Sequence, residues 1–197
     1  MESKGDVARW FFTMHSIPFI DNRVPMQNWL SDSRFAKNTP FGDLPVLEVD
    51  GVTICQHRAI GRLLAKRLGY YGKGDIEQAK IDMIVDCISD IMDHCVVIHF
   101  YMEEGPQKQK DLSEFLNKTL PQGIENLSKL LDQNKQGMGF VGDSLTWADF
   151  EFASQFSWLE GFGHNANLST KMKSLMNTVF NIPQIQEYCS KHTKHSY

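Results

Sequence analysis

The sequence predicts a mixed α/β half followed by an all-α half, and three observations carry the division. Up to residue 68 the hydrophobic periodicity switches repeatedly between strand and helix spacing. A glycine-rich segment, GYYGKGD at residues 69–75, then breaks the pattern and reads as a linker with Tyr70 and Tyr71 at its surface. Beyond it, apolar residues recur at helical spacing almost throughout. The expected domains are residues 1–72 and 75–197.

In the first half the pattern gives a helix from Asp6 to His15, a strand from Phe19 to Val24, a loop carrying Trp29, strands at 46–49 and 52–54, and a helix at 57–68. Asp50-Gly51 between two short apolar runs is a two-residue hairpin signal. Pro45 in front of VLEV is unusual, because proline cannot donate to a sheet ladder. Cys55 reads as a strand packing residue, and Gln56-His57 stand at the mouth of the next helix. In the second half, Ile76, Ile81, Ile84, Val85, Ile88, Ile91 and Met92 recur at helical spacing, and Leu112, Phe115, Leu116, Leu120, Ile124, Leu127, Leu130 and Leu131 do so again. In DSLTWADFEF, Thr146 and Asp149 have capping-box spacing ahead of an apolar run, so Thr146 starts a buried helix.

Composition excludes several functional classes. A chain of 197 residues that is 42% hydrophobic and 11% aromatic can bury one good core or two small ones. A formal charge of −4 at pH 7 with scattered lysines and arginines argues against nucleic acid or an anionic membrane as partner. MESKGDVARWFF lacks the apolar run of a signal peptide, and no stretch reaches the ~18 apolar residues of a membrane span, so the expected location is cytoplasmic. The cysteines, Cys55, Cys87, Cys95 and Cys189, show neither CxxC nor zinc-finger spacing, and the seven histidines are dispersed. Reduced, packed thiols and no metal site are expected.

Four segments in order, TPFGDLPVLEVDG, QHRAIGRLLAKRLG, IDMIVDCISDIMD and GFVGDSLTWADF, resemble the sigma-class-like cytosolic glutathione transferases of invertebrates, which include relatives of the glutathione-dependent prostaglandin D synthases. The resemblance implies a thioredoxin-like first half, a helical second half, a homodimer, and glutathione as co-substrate with no other cofactor. It implies a cis bond before Pro45, which turns the Leu44 main chain toward the cysteinyl part of glutathione as an added strand pairs with a sheet edge. Gly42 and Asp43 belong to the same loop. Gln56 and His57 lie where the family has a Gln-Ser pair that takes the γ-glutamyl carboxylate at a helix start; His57 departs from the serine with a larger ring that can still donate a hydrogen bond. Trp29 matches the tryptophan at the glycyl end, Lys37 is the candidate for the family lysine near it, and Asp90 matches the aspartate that reaches the ligand of the neighbouring subunit.

Three departures qualify the resemblance. Asp43 stands where lysine or glutamine is common and Asp6 where arginine is common, which implies a pocket more acidic than its doubly carboxylated ligand favours. Asp86, Asp90, Asp93 and His94 share a helix face; metal-activated members use acids there, but Ser89 replaces one of them, and a solvated interface rim is the alternative. The family's activating tyrosine lies in a first strand resembling YKLTYF, whereas this chain begins at Met1 where the phenylalanine after that tyrosine would be. The resemblance therefore implies a sheet of order 2-1-3-4 without its central strand, an incomplete or alternatively started chain, and impaired catalysis, with a hydroxyl at Ser3 as the remaining catalytic candidate. The expected reaction is attack of glutathione thiolate on a small hydrophobic electrophile held near Ile98, Phe100, Tyr101 and Phe162. The alternatives are a glutathione-dependent prostaglandin isomerase, or a non-catalytic ligand-binding or structural protein like the lens crystallins of similar sequence.

Overall fold

A computed structural model describes residues 4–25, 27–28, 37 and 39–192. Helix α1 (Asp6–Met14) is followed by the hairpin of β1 (Val46–Val49) and β2 (Val52–Cys55), then α2 (His57–Leu68). The helical half holds α3 (Gly74–Val96), α4 (Pro106–Glu114), α5 (Leu120–Gln133), α6 (Trp147–Gly161), α7 (Thr170–Phe180) and α8 (Pro183–His192). One π-helical turn, Val97–Tyr101, continues α3, and a second, Phe115–Thr119, joins α4 to α5. Among the described residues no strand lies beyond the hairpin.

The hairpin has the register its turn dictates: Val46 faces Cys55 and Val49 faces Val52. Asp50 and Gly51 both have positive φ, 52° and 73°, the twist that suits a two-residue turn between right-twisted strands. Cys55 is buried, as a packing residue at that register should be.

Helix α6 is the centre of the molecule. It is buried on every face from Trp147 to Phe156, and α3 packs along it, presenting Ile81, Ile84, Val85, Ile88 and Met92. Its N-terminus is held by the expected capping residues: the Asp149 carboxylate accepts from Thr146 N (2.6 Å), Thr146 Oγ1 (3.0 Å) and Phe140 N (2.8 Å). Gly139 is what lets this carboxylate approach, since a Cβ there would stand 2.6 Å from Asp149 Oδ2.

Two expectations fail. Tyr70 and Tyr71 are not surface residues: Tyr71 is only 6% exposed, and Tyr70 stacks on Phe11 at 4.9 Å with Phe150 edge-on to both. The Tyr70 carbonyl accepts from Trp147 N at 2.8 Å, so the linker is clamped between the halves by its aromatic rings and its backbone. Residues Phe19 to Val24 form no strand either; the sheet of the described residues is the hairpin alone. Without a ladder partner the segment is fixed by charge: Asp21 accepts from Arg9 Nε and Arg23 Nε, each at 2.8 Å, and Arg23 donates to Tyr188 Oη at 2.7 Å.

Candidate functional site

The loop before β1, the end of β2 and the start of α2 converge on one open cleft of about 260 Å³, its solvent mouth included, lined by Lys4, Asp43, Leu44, Cys55, Gln56 and His57. The Leu44–Pro45 peptide is cis, as expected from the proline in front of the strand. Gln56 has φ 71° and ψ 110°, a backbone conformation uncommon for a residue with a side chain and found most often where function requires it. Its side chain makes no cap on α2, which leaves the helix N-terminus open toward the cleft, with the donor N–H groups and partial positive charge that suit a carboxylate.

Asp43 alters this cleft in a way its charge alone does not describe. Its Oδ1 accepts from the Leu44 N–H at 2.8 Å, so the main-chain donor assigned to the cysteinyl group is held by the neighbouring side chain. Gly42, with φ 69°, makes the turn that positions this pair, its N–H bonding to Thr39 O at 3.3 Å. Asp6 does not add to the acidity: it is the buried first residue of α1, where Arg9 Nη1 donates to it at 3.1 Å and Tyr188 Oη at 3.0 Å.

His57 is tied to the helical half. Its Nε2 lies 3.6 Å from Glu151 Oε1, both side chains being almost fully buried. Burial, reinforced by Lys4 and Arg58, lowers the imidazole to about 4. Burial raises the Glu151 carboxyl to about 7 despite the donor Gln155 Nε2 at 3.0 Å. Burial thus favours the neutral form of both groups, which makes the contact a weak one as an ion pair. Glu151 was not among the expected site residues; the signal for it was one acid inside the buried run WADFEFASQF.

The other expected residues lie apart. Trp29 and Ser3 lie outside the described residues, and Lys37 is exposed and does not line the cleft. Asp90 is exposed on α3 outside the cleft, whereas Asp93 lies 3.5 Å from Lys4 Nζ. Asp86 pairs with Arg58 at 3.5 Å, and Ser89 is buried, so the acidic face is engaged with the first half. Of the described tyrosines none lines the cleft: Tyr71 donates to Asp82 at 2.6 Å, Tyr70 Oη meets His15 at 3.1 Å, Tyr188 is bound to Asp6, and Tyr101 is exposed. Phe100, Trp158 and Phe162 form an aromatic cluster with ring centroids 4.6–6.3 Å apart, while Ile98 is buried core.

The fold and this cleft have counterparts among known proteins. Residues 89–192 match the family described as "Glutathione S-transferase, C-terminal domain". Glutathione S-transferase 2 of Caenorhabditis elegans is 37% identical over 160 residues, which are 79% of this chain and 82% of that protein. Hematopoietic prostaglandin D synthase of Gallus gallus is 31% identical over 197 residues, covering 98% and 94% of the two chains. The structure of prostaglandin synthase D of Nilaparvata lugens superposes with a TM-score of 0.87 at 28% identity, over 98% of this chain and 94% of that one. The hairpin with its cis-proline and α2 thus belong to a thioredoxin-like N-terminal part on a helical C-terminal domain. The chain belongs to the glutathione S-transferase family.

Proposed function

We propose that this protein binds glutathione in the Leu44–Gln56–His57 cleft and presents its sulfur to a hydrophobic electrophile. The observation that carries the reading is the convergence of the Leu44–Pro45 main chain with the open N-terminus of α2 in a single cleft. In this reading the α2 N-terminus and Gln56 take the γ-glutamyl carboxylate, Leu44 pairs with the cysteinyl main chain, and Lys4 offers a cation to the second carboxylate. Asp90, exposed on α3, is assigned to the cleft of a second copy in a homodimer; sedimentation as a monomer at micromolar concentration would remove that role.

Rate enhancement rests on holding the two reactants together and on stabilising the thiolate. A free thiol titrates near ~8.5, so a donor to the sulfur is needed to populate the anion at neutral pH. The rate of conjugation beside the affinity for glutathione therefore reports whether such a donor acts in this cleft. The test is glutathione binding by calorimetry beside conjugation of a generic aromatic halide, in the native chain and Gln56→Ala. Binding lost in the variant, with conjugation falling in parallel, supports the assignment.

A second reading, ligand binding without conjugation, is favoured by the Asp43 carboxylate on the Leu44 N–H. It predicts saturable glutathione binding with no conjugation above the uncatalysed rate. Glutathione-dependent prostaglandin isomerisation, in line with the prostaglandin D synthase relatives, is distinguished by formation of prostaglandin D with no net glutathione consumption.

A further inference from the structure

Away from the cleft, where α3 passes into its π turn, the fold brings together three side chains that the sequence holds apart. Cys95 lies on the last turn of α3 and His99 four residues on, inside the π turn, so both project from one side of the helix. His164 arrives from the other direction, on the chain leaving α6, after a turn in which Gly163 takes φ 79°. The His99 and His164 Nε2 atoms meet at 2.8 Å, and one ligand atom from each of Cys95, His99 and His164 lies within 4.8 Å of the others. Cys95 is fully buried and forms the floor; the two imidazoles are half-buried and form the mouth.

We propose that Cys95, His99 and His164 form a metal site for a borderline transition-metal ion, with Zn²⁺ as its type and the fourth tetrahedral position open to water. One thiolate and two imidazoles make a donor set that selects Zn²⁺ or its neighbours over Mg²⁺ and Ca²⁺, which need oxygen ligands. Zn–S of about 2.3 Å and Zn–N of about 2.0–2.1 Å place tetrahedral ligand atoms roughly 3.4–3.6 Å apart; binding therefore opens the two nitrogens by about half an ångström and brings any pair near the 4.8 Å limit about an ångström closer.

Without metal, the 2.8 Å contact needs one ring to donate and the other to accept. On binding, the donor ring moves its proton to Nδ1, the thiol releases its proton to solvent, and the three freed lone pairs bind the ion. Phe162 stacks on His99 at 4.6 Å and fixes that ring, which pre-organises the mouth. The π turn itself is a device often found where a helix is adapted to a site.

The test uses the whole chain, stripped with a chelator and kept free of glutathione, which itself binds metals. Co²⁺ is titrated as the spectroscopic probe and displaced with Zn²⁺, in the native protein, Cys95→Ser and His164→Ala. The proposal expects one equivalent of Co²⁺ per chain with tetrahedral visible bands and a thiolate-to-cobalt charge-transfer band. His164→Ala should bind at least ~100-fold more weakly, more than loss of an outer-shell partner costs. Cys95→Ser should abolish the charge-transfer band. Because His164 lies on a loop, its variant tests the site without touching the core, and an unchanged melting curve of the metal-free variant confirms this. Absence of saturable one-to-one binding overturns the proposal, as does a charge-transfer band that survives in Cys95→Ser, which would place the metal on Cys55, Cys87 or Cys189.

Discussion

At the scale of single residues, two side chains set the character of the cleft. Asp43 places a negative charge beside a ligand with two carboxylates and holds the Leu44 N–H. Asp43→Ala is expected to tighten glutathione binding several-fold, about 1 kcal/mol, by freeing one donor and removing one like charge; calorimetry on the two proteins checks this, and weaker binding would show that the carboxylate helps. Glu151 governs pH dependence. Its folded pKa of about 7 exceeds the ordinary 4.5, so the native state holds the proton more tightly than the unfolded chain, and this contribution to stability is full below about pH 4.5 and is lost as pH rises through about 7. His57, lowered to about 4 from 6.5, has the opposite sign: its contribution is full above about pH 6.5 and is lost as pH falls through about 4. Glu151→Gln should therefore melt a few degrees higher than the native protein near pH ~8, with the gap closing by about pH 5. A gap independent of pH would mean that Glu151 does not titrate in this window. The local part of this site was legible in the sequence, because LP and QH act through their own backbone and helix end. Glu151 was not, since its meeting with His57 depends on how α6 packs against α2.

At the scale of elements, the signals that decided the outcome were those an element carries within itself. The Asp50-Gly51 turn fixed the hairpin and its register, and the Thr146/Asp149 pair fixed the start of α6. Asp149→Ala would leave the buried N–H groups of Phe140 and Thr146 without their acceptor, at a cost of about 2–4 kcal/mol. Urea unfolding reads this as a lower midpoint at unchanged slope; a loss under ~0.5 kcal/mol would show that the cap is dispensable. The strand expected at Phe19 to Val24 failed for the complementary reason. Apolar residues at only 19, 20 and 24 of FIDNRV set no alternating face to bury, and Arg9 and Arg23 hold Asp21 in a loop instead. The Cys95–His99–His164 cluster was equally hidden: its first two members share a helical spacing, but the third is 65 residues away from His99.

At the scale of the whole molecule, the two halves are joined partly through the segment expected to be a linker. Tyr70 stacks between Phe11 and Phe150, Arg62 pairs with Asp82 at 2.9 Å, and a Cβ on Gly61 would stand 2.6 Å from the Trp147 ring, so α2 sits directly on α6. The cleft is thereby fixed on a rigid support: its floor is α2, and α2 is held by the central helix of the other half. The central claim is that this support presents the α2 N-terminus and the Leu44 main chain to one glutathione. Calorimetric titration of glutathione into the native chain and Gln56→Ala at pH ~7 tests it most directly. The account predicts one equivalent bound per native chain and affinity reduced at least ~10-fold in the variant, about 1.4 kcal/mol. Equal affinity in the two proteins, or no saturable binding by the native chain, would contradict it.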